Sequence, residues 1–290
     1  MRLVTFTEGG VTRIGAVVGE ELVDLAAAAP ELPRDMAGFL AAGPAARERA
    51  AGASQAARAR LPLSELRLEP PVRPSKCLAI GLNYADHIAE TGARPPDFPI
   101  FFNKQVSCIT GPYDPIHLPR VSPVLDYEGE LAFVIGQRCR HVSREQAPQV
   151  IAGYTVMNDV SVRDWQAKAP TLTLGKSFDT HGPVGPWIVT SDELTDPHCL
   201  GLKTWVNGKL RQDSNTKNLI FDCFAQLEIL SQVMTLEPGD LVSTGTPAGV
   251  GIAFRPPRLL RAGDVVRIEV EGIGAIENPV VSEPEGTASP

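Results

Sequence analysis

Two glutamates, Glu128 and Glu130, stand where an apolar run begins in the segment LDYEGELAFVIG, and Asp126 precedes them. Side chains two residues apart point to the same face of a strand, so the two glutamates are predicted to lie together. Both faces turn apolar after Glu130, which predicts a strand that is covered on both sides. A buried carboxylate takes up a proton or binds a cation, because an isolated buried charge is very unfavourable. The alternative is a solvated strand end with ordinary surface acids.

Another carboxylate, Asp159, follows a second apolar segment, IAGYTVMNDVSVRDWQ, whose strand is predicted to end near Met157. Asp159, Arg163 and Gln166 are spaced i, i+4 and i+7, which predicts that they share one face of a helix. A helix-capping Asp with an i,i+4 ion pair would produce the same spacing. The pattern therefore predicts a carboxylate, a guanidinium and an amide aligned at a strand end.

Glu128, Glu130 and Asp159 together offer three hard oxygen donors, with no Cys or His close to them in the chain. Such donors suit Mg²⁺, Mn²⁺ or Ca²⁺ and do not suit zinc or copper. Mg²⁺ that has few protein ligands keeps several water molecules, which a chelating substrate can replace. The three acids therefore predict a site for a hard dication with open positions.

His87 and Glu90 lie three residues apart in GLNYADHIAETG, so they can touch on a short helical turn. A carboxylate on one imidazole nitrogen orients the ring and raises its basicity, and such a pair can take a proton from water. Gly81 and Gly92 flank the segment and allow it to move as a lid. The alternative is a surface helix that happens to carry a histidine.

Lys176 and the glycine-rich segment STGTPAGVG, residues 243–251, could supply positive groups to such a site. A lysine among apolar residues is predicted to be partly buried and to need anions nearby, unless it simply extends to the surface. The glycine-rich segment follows a strand, and its amides, with Gly245 among them, could turn toward one point and hold an anion. Thr246 adds a hydroxyl, although an ordinary tight turn would look the same.

The elements that must position these residues are mostly short strands separated by Gly, Pro, Asn and Asp. Residues 1–70 combine strands with Ala-rich helices and are predicted to form a small N-terminal α/β module that ends at a Pro-rich connection. Residues 71–282 are predicted to form the catalytic domain, with a hairpin at Asn207-Gly208 and a helix whose apolar face carries Ile220, Phe224, Leu227 and Leu230. Residues 283–290 are predicted to be a disordered tail. The fold class predicted is a strand-dominated α+β protein.

The composition restricts the kinds of partner that we expect. The 290 residues carry a net charge of −7, which argues against a nucleic-acid partner, and no apolar run approaches the roughly 20 residues of a membrane helix. The first residues lack the pattern of a signal peptide. The five cysteines are scattered, which indicates neither a zinc site nor a disulfide framework. A cytoplasmic protein without a membrane partner is therefore expected.

Five segments in series resemble the fumarylacetoacetate hydrolase family, with matching order and spacing from about residue 75 to residue 281: NYADHIAETG, DYEGELAFVIG, NDVSVRDWQ, LGKSFDTHGPVGPW and TGTPAGVG. The resemblance implies a mixed β-roll (barrel) catalytic domain, a homodimer, and one Mg²⁺ or Mn²⁺ ion per chain. Fumarylacetoacetate hydrolase itself is longer and has a different N-terminal region. Fumarylacetoacetate is therefore not the expected substrate.

The resemblance also implies roles for individual residues. The metal ligands would be the three acids, the catalytic lysine would be Lys176, and the substrate would be bound by a further set of residues: Arg163, Gln166, Gly245 and Thr246. His87 and Glu90 match the lid dyad of the acylpyruvate hydrolase-like branch.

The predicted reaction is hydrolysis of a C–C bond in a small 3-acylpyruvate-type diketo acid. The barrier is the instability of the pyruvate enolate, which a dication on the 2-oxo oxygen and Lys176 would stabilise, while His87 and Glu90 would activate water. Decarboxylation or tautomerisation of oxaloacetate, and isomerisation of 2-hydroxyhepta-2,4-diene-1,7-dioate, use the same enolate and remain alternatives. A sugar-acid hydrolase, which would need further polar groups such as Asp179, His181 or Asn215, and a non-catalytic protein that binds a 2-oxo acid are further alternatives.

Overall fold

A mixed sheet of twelve strands organises the chain, with a second sheet of five strands packed on it. The structure, a computed structural model, describes residues 1–286, so the last four residues of the predicted tail lie outside the described residues. The strands are β1 (Arg2–Glu8), β2 (Val11–Val18), β3 (Glu21–Asp24), β4 (Leu61–Pro62), β5 (Arg67–Leu68), β6 (Cys77–Gly81), β7 (Ile100–Lys104), β8 (Ile109–Thr110), β9 (Ile116–Leu118), β10 (Leu125–Asp126), β11 (Gly129–Ile135), β12 (Ile151–Asn158), β13 (Ser161–Val162), β14 (Gly182–Thr190), β15 (Gly201–Val206), β16 (Lys209–Asn215), β17 (Leu241–Ser243), β18 (Val265–Val270) and β19 (Gly274–Ser282).

The helices mostly have seven residues or fewer, and the longest has 14. They are α1 (Leu25–Ala28), α2 (Met36–Ala41), α3 (Gly43–Ala56), α4 (Ala85–Thr91), α5 (Ala147–Val150), α6 (Arg163–Gln166), α7 (Thr173–Lys176) and α8 (Cys223–Val233), and four 3-10 turns cover Leu63–Glu65, Val106–Cys108, Thr216–Asn218 and Gly251–Ala253. None of the helices in residues 1–286 has the length and apolar character that crossing a bilayer requires. The prediction of a strand-dominated α+β fold is confirmed.

Ten strands of the large sheet run in the order β4-β3-β2-β1-β14-β12-β11-β17-β6-β7, with β5 on β1 and β8 on β14. The pairs β17–β6 and β14–β8 are parallel, whereas β11 pairs antiparallel with both β12 and β17. The second sheet has the order β16-β15-β18-β19-β9, and β10 pairs with β13 in a separate two-stranded sheet.

Strand β11 is buried on both faces, as its sequence predicts. Leu131 and Phe133 lie in an apolar cluster with residues of the five-stranded sheet, such as Leu202 and Ile268. Ala132 and Val134 point the other way, into a cluster that includes the N-terminal helices. A strand held from both sides cannot shift by one residue without exchanging its two faces, so the position of the acids that precede it is fixed.

The N-terminal residues extend the large sheet, because β1 pairs antiparallel with β14 through Arg2–Val189 and Leu3–Ile188. The predicted helices of this region are present as α2 and α3, and their buried residues include Phe39 and Leu40. The boundary predicted near residue 70 stays a prediction, and backbone pairing links the two sides of it.

The predicted hairpin at Asn207-Gly208 joins β15 to β16, and both residues adopt positive φ. The predicted apolar helix is α8, but it begins later than its spacing suggests. The Asp222 carboxylate accepts hydrogen bonds from the amides of Phe224 and Ala225, so the helix starts after it and leaves Ile220 in the preceding loop.

Candidate active site

The antiparallel pair β11–β12 brings the three acids together at one end. Gly129 stands opposite Asn158, and the Asp159 amide donates to the Glu128 carbonyl at 2.9 Å. One carboxylate oxygen from each of Glu128, Glu130 and Asp159 lies within 4.8 Å of the other two, and all three side chains are buried. The structure thus assembles the predicted ligand set from two separate segments.

Gly129 separates the two glutamates because no side chain fits at that position. A Cβ there would lie 2.3 Å from Thr204 Oγ1 on β15, and the Gly129 amide donates to Gln212 Oε1 at 2.9 Å. The five-stranded sheet therefore packs directly on the backbone between the two carboxylates.

The predicted helical face of Asp159, Arg163 and Gln166 is wrong. After Asp159 the chain forms β13, paired with β10, and α6 is one turn that begins at Arg163. The buried β-branched residues Val160 and Val162 favour this extended conformation. Asp159 therefore neither caps a helix nor pairs with Arg163.

Arg163 instead joins acids that precede β11. Its Nε donates to Asp126 Oδ2 at 2.9 Å, and its Nη1 donates to Glu128 Oε1 at 2.5 Å and to Gln166 Oε1 at 3.0 Å. The carboxylates of Asp126 and Glu128 raise the pKa of the Arg163 guanidinium, although burial alone would lower it. Arg163 is thus already neutralised by protein carboxylates.

Lys176 is buried, and its Nζ lies 2.6 Å from Glu128 Oε2 and 2.8 Å from Asp159 Oδ2. Its position depends on a close approach of α7 to α6, because a Cβ at Gly175 would lie 2.3 Å from the Gln166 amide nitrogen. The prediction of a buried lysine among anions is confirmed.

Lys104, at the end of β7, is a site residue that the sequence did not single out. Its Nζ lies 2.7 Å from Asp159 Oδ1 and also donates to the Lys176 carbonyl, and the side chain is buried. Burial alone would lower the pKa of Lys104, but the charge and hydrogen bond of Asp159, together with the nearby Cys108 and Cys77, raise it above its usual value. The alternation in IFFNK, with Phe102 and Lys104 on one buried face, was the available signal.

The environment shifts the pKa values of Glu128 and Glu130 in opposite directions. Burial alone would raise the pKa of Glu128, but the positive charges of Lys176 and Arg163 hold it well below its usual value. Burial and the negative charges of Asp159 and Glu128 raise the pKa of Glu130 well above its usual value. A divalent ion among the three acids would offset this repulsion, so the donor set fits Mg²⁺ or Mn²⁺ on charge and on ligand type.

His87 and Glu90 form the predicted contact on α4, with 3.0 Å between His87 Nδ1 and Glu90 Oε2. The other Glu90 oxygen, Oε1, accepts a hydrogen bond from the Gly249 amide at 2.8 Å. With Nδ1 held by a carboxylate, the neutral imidazole carries its free lone pair on Nε2.

The amides of the glycine-rich loop bind separate carboxylates of the protein and do not converge on one point. The Gly245 amide donates to Glu130 Oε2 at 2.8 Å, and the amides of Gly251 and Ile252 donate to Asp126. The Thr246 hydroxyl donates to the Gly129 carbonyl and accepts from Gln212 Nε2. The loop therefore orients the acids, which corrects the prediction of an anion-binding nest, while a substrate contact of Thr246 stays a prediction.

A cavity of about 550 Å³ reaches this cluster through Arg163, which bonds to Glu128, and its lining also includes Leu82, His87, Glu90, Gln166 and Arg255. The three acids and Lys176 are not among its described lining residues. Asp179, His181 and Asn215 are absent from this lining among the described residues. Burial lowers the pKa of His181 to about 3, and its Nε2–H donates to the His117 carbonyl. Asn215 caps a 3-10 turn through the Lys217 amide.

Comparisons with known proteins agree with this geometry. The family model described as fumarylacetoacetate hydrolase, C-terminal, matches residues 76–281, which is most of the chain. The chain is 45% identical over 288 residues to a protein of Xenopus laevis named oxaloacetate tautomerase fahd2, mitochondrial, covering 97% of this chain and 90% of that protein.

Solved structures share the whole fold. One is maleylpyruvate hydrolase from Sphingobium sp. SYK-6 in complex with manganese(II) ion and pyruvate, with 36% identity, a TM-score of 0.81, and coverage of 98% of this chain and 100% of that one. Another is 2-hydroxyhepta-2,4-diene-1,7-dioate isomerase from Mycobacterium marinum, with 37% identity, a TM-score of 0.79 and the same coverage. The chain therefore belongs to the fumarylacetoacetate hydrolase family.

Proposed function

We propose that the protein interconverts the enol and keto forms of a small 2-oxo acid, with oxaloacetate as the first candidate, in a reaction that depends on Mg²⁺ or Mn²⁺. The observation that carries the proposal is the buried cluster of Glu128, Glu130 and Asp159 beside a cavity that the His87–Glu90 pair lines. The similarity to the Xenopus oxaloacetate tautomerase, which extends over nearly the whole length of both chains, supports tautomerisation ahead of hydrolysis.

A divalent ion held by the three acids would act as a Lewis acid on the 2-oxo oxygen and stabilise the enolate. In the enol-to-keto direction, C3 gains a proton from Nε2 of His87 and the 2-hydroxyl loses one to solvent, which protonates Nε2 again, so that no net proton is consumed. His87 exchanges the C3 proton at Nε2, because Glu90 holds its Nδ1. Lys176 supplies positive charge beside the ligands, where the negative charge of the enolate develops.

Hydrolysis of an acylpyruvate is the second candidate, and the same His87–Glu90 pair favours it. There Nε2 of His87 would take a proton from the water that attacks the distal carbonyl. The similarity of the fold to the maleylpyruvate hydrolase of Sphingobium supports this alternative. Oxaloacetate decarboxylation and dienedioate isomerisation share the enolate and belong in the same assay panel.

The test is a substrate panel with Mg²⁺ or Mn²⁺: the enol of oxaloacetate, acetylpyruvate, fumarylpyruvate and a dienedioate. We expect His87→Ala to lower kcat on the preferred substrate by roughly 10²–10⁴-fold, since a general acid–base group is lost. His141→Asn, at an exposed residue outside the described cavity lining, is the matched control and should leave kcat unchanged. Unchanged kcat in His87→Ala would refute the proton-transfer role.

Calorimetric titration with oxalate, in the presence and absence of Mg²⁺, separates an enzyme from a non-catalytic binding protein. Metal-dependent oxalate binding without turnover of any substrate in the panel would favour the non-catalytic alternative. Loss of oxalate binding in the absence of metal, together with turnover, is the expected result.

We also propose that the protein is a homodimer that acts in the cytoplasm. Strand β7 forms one edge of the large sheet, and Phe98 and Ile100 on and before it are exposed, which suits contact with a second copy. All five cysteines are free, as suits a reducing compartment. Light scattering coupled to size-exclusion chromatography would report the mass in solution.

A further inference from the structure

Arg255 lines the same cavity as His87 and Glu90 and is exposed to it. It follows the 3-10 turn Gly251–Ala253, and its Nη1 donates to the carbonyls of Ile252 and Phe254 at 3.2 and 3.1 Å. No carboxylate of residues 1–286 forms an ion pair with it. The positive charge of the Arg255 guanidinium is thus not balanced by a carboxylate of the described residues, and some of its N–H donors remain available at the cavity wall.

The turn that carries Arg255 is tied to the acid cluster. The amides of Gly251 and Ile252 donate to the two oxygens of Asp126 at 2.7 and 3.0 Å, and Asp126 in turn accepts from Arg163. Because Ile252 is only three residues from Arg255, this anchor fixes the backbone that presents the guanidinium. Arg255 therefore lies at the cavity wall on a turn whose backbone is bound to Asp126.

The net charge of the acid cluster indicates how much substrate charge it can balance. Three carboxylates, of Asp126, Glu128 and Asp159, contact three cations, of Lys104, Arg163 and Lys176. The fourth carboxylate, of Glu130, lies beside Glu128 and Asp159 and accepts hydrogen bonds from Ser243 and the Gly245 amide. One bound dication then leaves a single positive charge, which balances a 2-oxo acid with one carboxylate. A second carboxylate on the substrate has no cation in that cluster, and the negative charge of Glu90 makes the cavity less favourable to it.

The geometry points to Arg255 as the group that binds a second, distal carboxylate, so that the preferred substrates are 2-oxo acids that are also dicarboxylates. Of the two arginines in the cavity lining, Arg163 is neutralised by Asp126 and Glu128, whereas Arg255 is not. Arginine donors form charge-assisted bonds to carboxylates, which are the stronger hydrogen bonds of proteins. The inference rests on the proposed function for the 2-oxo end of the substrate.

A pair of stable ligands of equal chain length tests this. The Mn²⁺-loaded protein is titrated calorimetrically with 2-oxoglutarate, which has a distal carboxylate, and with 2-oxopentanoate, which ends in a methyl group. We expect 2-oxoglutarate to bind at least about 10-fold more tightly than 2-oxopentanoate. Arg255→Gln should reduce the ratio of the two dissociation constants to about one. The matched control is Arg258→Gln. Arg258 is an exposed arginine of the same loop that packs over Phe254 and lies outside the described cavity lining. This variant should keep the ratio of the two dissociation constants.

The outcomes separate this inference from the proposed function, because the titration needs chelation and no turnover. A ratio near one in the unaltered protein, or a ratio that survives in Arg255→Gln, overturns the role of Arg255. Equal weakening of both ligands in Arg255→Gln also overturns it, since that result reports a disturbed site. A ratio that depends on Arg255 in a protein that turns over no substrate would sustain this inference and refute the proposed function.

Discussion

At the scale of single residues, the two oxygens of Asp159 are each held by a different buried lysine. Lys176 contacts Oδ2 and Glu128, while Lys104 contacts Oδ1 and the Lys176 carbonyl. Lys104 therefore orients one acid of the cluster and also the backbone of Lys176. A buried ion pair stabilises little by itself, but removal of one partner leaves the other charge uncompensated.

Lys104→Met should lower the free energy of unfolding of the metal-free protein by about 3 kcal/mol, because Asp159 loses a buried partner. Saturating Mn²⁺ should recover part of that loss, since the ion supplies positive charge next to Asp159. Urea unfolding with and without Mn²⁺ measures both effects.

Lys203→Met, at an exposed lysine on β15, serves as the control for Lys104→Met and should change stability by less than about 0.5 kcal/mol. If the two variants unfold alike, Lys104 has no orienting role.

At the scale of elements, the site depends on three segments that meet at the start of β11. Strand β12 delivers Asp159, the turn α7 delivers Lys176, and the loop after β17 donates its Gly245 amide to Glu130. The five-stranded sheet contacts the backbone at Gly129 between the two glutamates. Packing of one sheet on the other thus controls the spacing of the carboxylates.

Gly129→Ala should destabilise the fold by about 2 kcal/mol, because the new methyl group would overlap Thr204 Oγ1 and force β11 and β15 apart. Displacement of Glu128 and Glu130 should also weaken Mn²⁺ binding by at least about 10-fold. Chemical unfolding and calorimetric titration with Mn²⁺ measure the two effects.

Gly52→Ala is the matched control for Gly129→Ala, since a Cβ at Gly52 on α3 meets no atom within 4 Å. It should leave metal binding unchanged and keep or slightly raise stability. The double variant Gly129→Ala with Thr204→Ala should recover part of the loss, and no recovery would argue against the overlap as the cause.

At the scale of the whole molecule, the helices within residues 1–70 pack on one face of the large sheet. Their buried side chains, such as Phe39 and Leu40, cluster with Ala132, Val134 and Ile188 of the large sheet. The Met1 ammonium bonds to Thr190 Oγ1 at 2.6 Å, next to the β1–β14 pairing. The N-terminal part thus closes one side of the core on which the acid cluster is built.

A chain that starts at residue 71 should therefore lose cooperative unfolding and metal-dependent oxalate binding, because a large apolar face becomes exposed. Thermal unfolding followed by circular dichroism, together with oxalate titration, would show this. A soluble fragment that unfolds cooperatively and still binds oxalate would instead establish residues 71–282 as an independent domain.

The sequence alone determined the features that depend on local spacing. Alternation along a strand places Glu128 and Glu130 on one side, and a spacing of three joins His87 to Glu90 on a helical turn. Only the tertiary structure decided which distant groups meet them. Lys104 reaches Asp159 across 55 residues, and the Gly251 amide reaches Asp126 across 125.

The physical reason is that periodicity describes one element, whereas these contacts depend on the order of strands in a sheet and on the packing of loops. Because of that packing, the segment after Asp159 forms a strand, and Arg163 pairs with Asp126 and Glu128. It likewise left Arg255 at the wall of the cavity without a carboxylate among the described residues.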